Sequence, residues 1–136
     1  MKRAFVWLLL SALLLTAFAC KAQPKNDASV PDGTYRIAVT LSGGTGRAWI
    51  ESPALLTVKE GAMTLTAVWS SDKYDYMLVG GEKYLPEIID GHSVFEIPVA
   101  TLETPFQVIA DTTAMSTPHE IEYTITFDPA SLESAS

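Results

Sequence analysis

The sequence predicts an all-β fold, an immunoglobulin-like antiparallel β-sandwich of about eight strands. Three observations predict it. Apolar residues recur at every second position and not at the 3.6-residue spacing of a helix. Turn-forming clusters (Ser42-Gly43-Gly44-Thr45-Gly46, Lys59-Glu60-Gly61, Gly80-Gly81, Asp90-Gly91 and Ser116-Thr117-Pro118) divide these runs into short segments. The chain has 136 residues, and once its ends are set aside residues 34–128 make one domain the size of a small sandwich.

The elements follow in chain order. "MKRAFVWLLLSALLLTAFAC" opens with Lys2 and Arg3, continues as an apolar run and ends in small residues, which is the plan of a secretory signal over residues 1–19. The run is short for a membrane span, which needs about 20 apolar residues. Cys20 is the only cysteine, so no disulfide forms within the chain. Its place after "AFA" is similar to the lipobox of bacterial lipoproteins, although Ala17 stands where leucine is usual. Lipidation of Cys20 is the expectation, with simple secretion after an A-x-A cleavage as the alternative. Residues 20–33, "CKAQPKNDASVPDG", read as a polar, proline-containing tether.

"TYRIAVTL" alternates Tyr35, Ile37, Val39 and Leu41 on one face, and "AMTLTAVW" alternates Met63, Leu65, Ala67 and Trp69. "SVFEIPV" is strand-like, and Pro98 marks it as an edge or a strand end. "PFQVIAD" and "HEIEYTITFD" are strands as well. In the latter His119, Ile121, Tyr123, Ile125 and Phe127 share a face, and the other face is polar enough to meet water. A short helical turn near "GRAWIESP" is the only helix considered. Residues 129–136, "PASLESAS", read as a disordered tail.

Composition excludes several functions. Removal of the leader takes two of the nine basic residues and leaves sixteen acidic ones, a net charge of −9. That balance opposes nucleic acid and charge-driven docking on anionic lipid; contact with a membrane is expected through the lipid anchor only. No G-x-S-x-G, P-loop, H-E-x-x-H or cysteine nucleophile occurs, so no enzyme is expected. "SGGTGRA" lacks the spacing and the helix of a phosphate loop and reads as a hairpin loop.

His119 and Tyr123 are the residues with ligand chemistry on one strand face. Imidazole and phenolate both serve as axial ligands of haem iron. Four residues of strand separate them by roughly 13 Å, too far for one small ion. The pair fits either two contacts along a planar macrocycle or the end of an ordinary hydrophobic stripe.

"DGTYRIAVTL", "RAWIESPALLTVKEGAMTLTAVWSS", "YDYMLVGGEKY" and the final "HEIEYTITFD" together resemble a NEAT (near-iron-transporter) domain, over about Asp32 to Asp128. That family consists of immunoglobulin-like sandwiches on bacterial surface proteins, many of which bind haem. In haem-binding members the last strand carries Y-x-x-x-Y, whose first tyrosine ligates iron and whose second hydrogen-bonds it. Those positions are His119 and Tyr123 here, so the resemblance implies imidazole ligation or a site that has lost its ligand. It further implies a helical lip over "GGTGRAWIESP", with Arg47 pairing a propionate and Trp49 stacking on the porphyrin; a solvated Arg47 and a core Trp49 are the plainer alternatives. In "YDYM", alternation puts Tyr74 and Tyr76 on one face and Met77 on the other, and this strand is expected to line the pocket, with Tyr76 beside the macrocycle. Met115, before the last strand, is either near an axial position or a loop-tip hydrophobe.

The expected function is haem capture by an exported lipoprotein at the bacterial surface, with transfer to an importer's substrate-binding protein or from a haemoprotein. Two alternatives remain: an immunoglobulin-like interaction module without ligand, and copper handling by Met63, Met77, Met115, His92 and His119, which are soft and imidazole donors.

Overall fold

The computed structural model describes residues 30–114 and 116–135. Nine strands follow one another: β1 Gly33–Gly43, β2 Ala54–Lys59, β3 Ala62–Val68, β4 Tyr74–Val79, β5 Glu82–Tyr84, β6 Glu87–Ile89, β7 His92–Val99, β8 Phe106–Thr112 and β9 His119–Ser134. All neighbours pair antiparallel, in the order β5-β4-β8-β9-β1-β2-β3-β7-β6. The sheet curls until β4 lies against β7, where the Ser93 hydroxyl donates to the Tyr74 carbonyl at 2.8 Å. The two halves of the curled sheet thus face each other as the layers of a sandwich. The two additional short strands, β5 and β6, are its edges.

The period-two pattern is what closes the core. Ile37 and Val39 of β1, Met63, Leu65 and Ala67 of β3, and Tyr123, Ile125 and Phe127 of β9 all point inward. Trp69, Phe95, Leu56, Met77 and Ile97 fill the centre and are fully buried, each side chain contributing about 1.5–3 kcal/mol by leaving water. Glu60-Gly61, Gly80-Gly81 and Asp90-Gly91 each close a two-residue hairpin with both residues at positive φ, the geometry that matches strand twist. Pro98 pairs with Thr64 on one side, while β6 reaches only residues 92–94 on the other. At Pro98 β7 is therefore an edge, where the missing N–H costs nothing.

The ends of the domain lie elsewhere than the sequence suggests. Residues 129–134, expected as disordered tail, continue β9 along β1 beyond an irregularity in the pairing. The Ser131 hydroxyl accepts from Ala38 N at 2.8 Å and donates to the Asp128 carbonyl at 2.7 Å, Ala135 N donates to the Thr34 carbonyl, and Leu132 packs on the core. At the other end Val30 packs on the core, and the Asp32 carboxylate accepts from Glu60 N at 2.9 Å. Residues 30–33 thus belong to the fold and not to the tether. The leader, Cys20 and the tether up to residue 29 lie outside the described residues.

Candidate functional site

A cleft of about 580 Å³ opens between the loop after β1 and the inner face of the β4–β8–β9 half. The volume lies within the range of roughly 300–1,000 Å³ usual for small-molecule sites. Thr45, Arg47 and Ala48 of the loop form one wall; Tyr74, Thr112, Ala114, Ile121 and Tyr123 form the other. Gly43 and Gly44 let the loop leave β1 close against β9. A Cβ at Gly43, where φ is +126°, would stand 2.5 Å from the Glu122 carbonyl oxygen. One at Gly44 would stand 3.3 Å from the Tyr123 hydroxyl.

Two aromatic rings, Tyr74 and Tyr123, line the floor, and a third, Trp69, packs against both from within the core. Trp69 is fully buried, with its ring centroid 4.4 Å from Tyr74 and 5.1 Å, edge-on, from Tyr123. Its indole Nε1 is buried without a hydrogen-bond partner among the described residues. Burial pushes the Tyr123 phenol up to about 12, and the neighbouring Tyr74 hydroxyl, its hydrogen-bond partner, adds to the shift. Tyr123 therefore keeps its proton at physiological pH and acts as a donor. This wall is largely apolar, and its side-chain polar groups are the hydroxyls of Tyr74, Tyr123 and Thr112. Arg47 is the one charged residue in the lining. Such a set suits a large, flat, largely apolar molecule carrying an anionic edge.

Of the residues singled out in the sequence, Tyr123 and Arg47 line the cleft. His119 shares the face of Tyr123 and pairs with Thr112, a lining residue, but its side chain is exposed and stands outside the lining. Its Nδ1 lies 3.0 Å from the Thr117 carbonyl. A carbonyl only accepts, so Nδ1 carries the proton and Nε2 keeps its lone pair.

Trp49 does not line the cleft. It is 50% exposed, its ring centroid 6.3 Å from that of His92. The reason is that residues 49–51 run beside the end of β3 and form no helix: Ile50 bridges to Trp69, Glu51 N donates to the Val68 carbonyl, and Trp49 N donates to the Ser70 hydroxyl. Extended backbone sends Ile50 inward and its neighbour Trp49 outward. The expected helical lip is absent for the same reason.

Tyr76 is on the opposite face from the cleft. The pairing of β4 with β8 slips between Tyr74 and Tyr76, a β-bulge at Asp75. Tyr74 and Met77 consequently point inward and Tyr76 outward, so Tyr74 and Tyr76 do not share a face. The Tyr76 hydroxyl donates to the Glu120 carboxylate and Lys83 Nζ lies 4.1 Å from its ring centroid. The bond to Glu120 holds the Tyr76 phenol at about 12. Asp111, buried beside them, is held above the usual carboxylate range by burial and by its hydrogen bond with Asp75.

Met115 lies outside the described residues. Of the other copper-ligand candidates, Met63 and Met77 are core side chains on β3 and β4, and His92 Nδ1 donates to the Trp69 carbonyl at 2.6 Å. Among the described residues no group of three or more His, Cys, Asp or Glu could hold a metal ion.

Sequence reasoning placed Tyr74 on the pocket strand but on the same face as Tyr76, and it missed Thr45, Ala48, Thr112 and Ala114. Simple alternation did name Ile121 and Tyr123, because β9 is regular there.

No protein-family model and no curated protein matches the chain. Among the solved structures similar to it are two of one domain. One is the NEAT5 domain of IsdX2, a B. anthracis hemophore, in complex with heme: TM-score 0.59 and 20% identity, covering 73% of this chain and 98% of that one. The other is a mutant of the same domain, also in complex with heme: TM-score 0.58 and 21% identity, covering 74% and 98%. At such identity the likeness is one of architecture: the chain shares the fold of those two NEAT domain structures.

Proposed function

We propose that the domain binds haem in the cleft between the loop after β1 and the inner face of β9. The observation that carries this is the cleft itself: a phenol-floored slot with one cation at its rim, placed against the last strand. Haem is cargo here, and the protein's part is to bind, orient and shield it. Tyr74, Ile121 and Ala114 offer the apolar bed, and Tyr123 offers a neutral hydroxyl as donor. Arg47 offers a charge-assisted contact to a propionate. The heme-bound state of both similar structures supports this reading. Upstream, a leader and a lipidated Cys20 would hold the domain at the cell surface, where it captures haem and passes it to an importer's substrate-binding protein.

Hemin titration of the purified domain tests the site. The expected outcome is a saturable Soret band for the wild type, lost in Thr45→Trp, which fills the cleft from an exposed position of the loop. Absence of saturable binding by the wild type overturns the proposal. Equal binding by Thr45→Trp moves the site elsewhere.

A further inference from the structure

We infer that Tyr74, and not His119, supplies the axial ligand atom in the cleft, with Tyr123 as its hydrogen-bond partner. The inference rests on the haem reading above and adds to it a residue on a different strand.

Position comes first. The bulge at Asp75 turns Tyr74 into the cleft, where it is part of the lining. His119 points to the same side of the sheet, but its exposed imidazole stands outside that lining, with Nδ1 turned to the Thr117 carbonyl. A ligand lying on the Tyr74–Tyr123 wall meets phenol oxygen, while the nearest imidazole lies beyond the cleft.

The surroundings of Tyr74 are those of a metal ligand. Phenolate is an established axial ligand of haem iron, and a ligating atom works best when its remaining lone pairs are satisfied and its side chain is fixed. Tyr123 is the partner by position: its phenol lines the same cleft, and both rings pack on Trp69, at 4.4 Å for Tyr74 and 5.1 Å for Tyr123. Tyr74 is fixed by its ring contact with Trp69 at 4.4 Å and by the bond from Ser93 Oγ to its carbonyl. The pair of phenols comes from two strands, β4 and β9. Were haem bound there, the Tyr74 O–H bond would break, its proton would pass to water, and the phenolate oxygen would bond ferric iron with no change in oxidation state.

The test is the ligand signature of the ferric complex, read by visible absorption and resonance Raman. The wild type is expected to show phenolate-to-iron charge transfer and phenolate vibrations. Tyr74→Phe loses both, His119→Ala keeps both, and Tyr123→Phe keeps the phenolate signature while affinity falls about 10-fold. Tyr74→His replaces the phenolate signature by that of imidazole, which places residue 74 at the iron even if Tyr74→Phe folds poorly. A phenolate signature that survives in Tyr74→Phe overturns the inference. So does an imidazole signature in the wild type that disappears in His119→Ala. Either result leaves haem binding in the cleft standing, whereas a wild type that takes up no hemin removes both readings.

Discussion

Tyr123 shows how one side chain ties stability to the site. It is 4% exposed, and burial with the Tyr74 hydroxyl beside it raises its phenol from 10.0 to about 12. Between those values the unfolded chain gives up a proton that the folded chain keeps. The stabilisation from the protonated phenol is therefore complete below about pH 10 and is lost as pH rises through about 12. Denaturant unfolding is expected to show stability falling over this window, with a shallower fall in Tyr123→Phe. Tyr76 also titrates at about 12, through its bond to Glu120, so the comparison is cleanest in a Tyr76→Phe background. Equal slopes in the two proteins would show that Tyr123 is not held neutral by the fold. At this scale the sequence is legible wherever alternation runs unbroken. Tyr123 is inward because β9 is regular from His119 to Phe127. Tyr74 and Tyr76 were misassigned because one extra residue, Asp75, reverses the faces on one side of it, and no residue type in "YDYM" announces a bulge.

The last strand makes the same point for an element. Its first half was readable from five alternating apolar or aromatic positions. Its second half, "PASLES", carries proline and small polar residues, which composition assigns to a loose end. The structure uses those properties: Pro129, which has no N–H, falls where the pairing with β1 breaks, and Ser131 satisfies Ala38 N across the gap. Pairing then resumes, Arg36 with Glu133 and Tyr35 with Ser134. Truncation after Asp128 is therefore expected to destabilise the domain by about 2 kcal/mol, from hydrogen bonds worth roughly 1 kcal/mol each and the packing of Leu132. At this size that is a drop of roughly 8–16 °C in Tm, measurable by calorimetry. An unchanged Tm would return residues 129–136 to the status of a tail. The segment after β1 is the converse case. Its glycines suggested a free loop and its Trp49 a ligand contact, but backbone pairing of residues 49–51 with the end of β3 decides which side each residue faces.

For the whole molecule, the fold was legible and the charge distribution was the better guide to its physics. From Val30 onward fifteen acidic residues against five basic ones make the domain strongly anionic, while the cleft lining carries one charge, that of Arg47. On the proposed function the ligand carries two propionates, so its approach would be opposed at long range by the protein and favoured at short range by one guanidinium. The two effects respond differently to salt. Raising ionic strength from about 0.01 M to 0.15 M shortens the Debye length from roughly 30 Å to 8 Å, which screens the distant carboxylates more than a contact pair. Stopped-flow mixing with monomeric hemin is expected to show an association rate that rises with salt over this range. Arg47→Ala should increase the dissociation rate several-fold and steepen the salt dependence of association, because it removes the one attraction that offsets the repulsion. An association rate that falls with salt in the wild type would mean that the local field of Arg47 outweighs the net charge, and that the acidic surface has no part in how the cleft is filled.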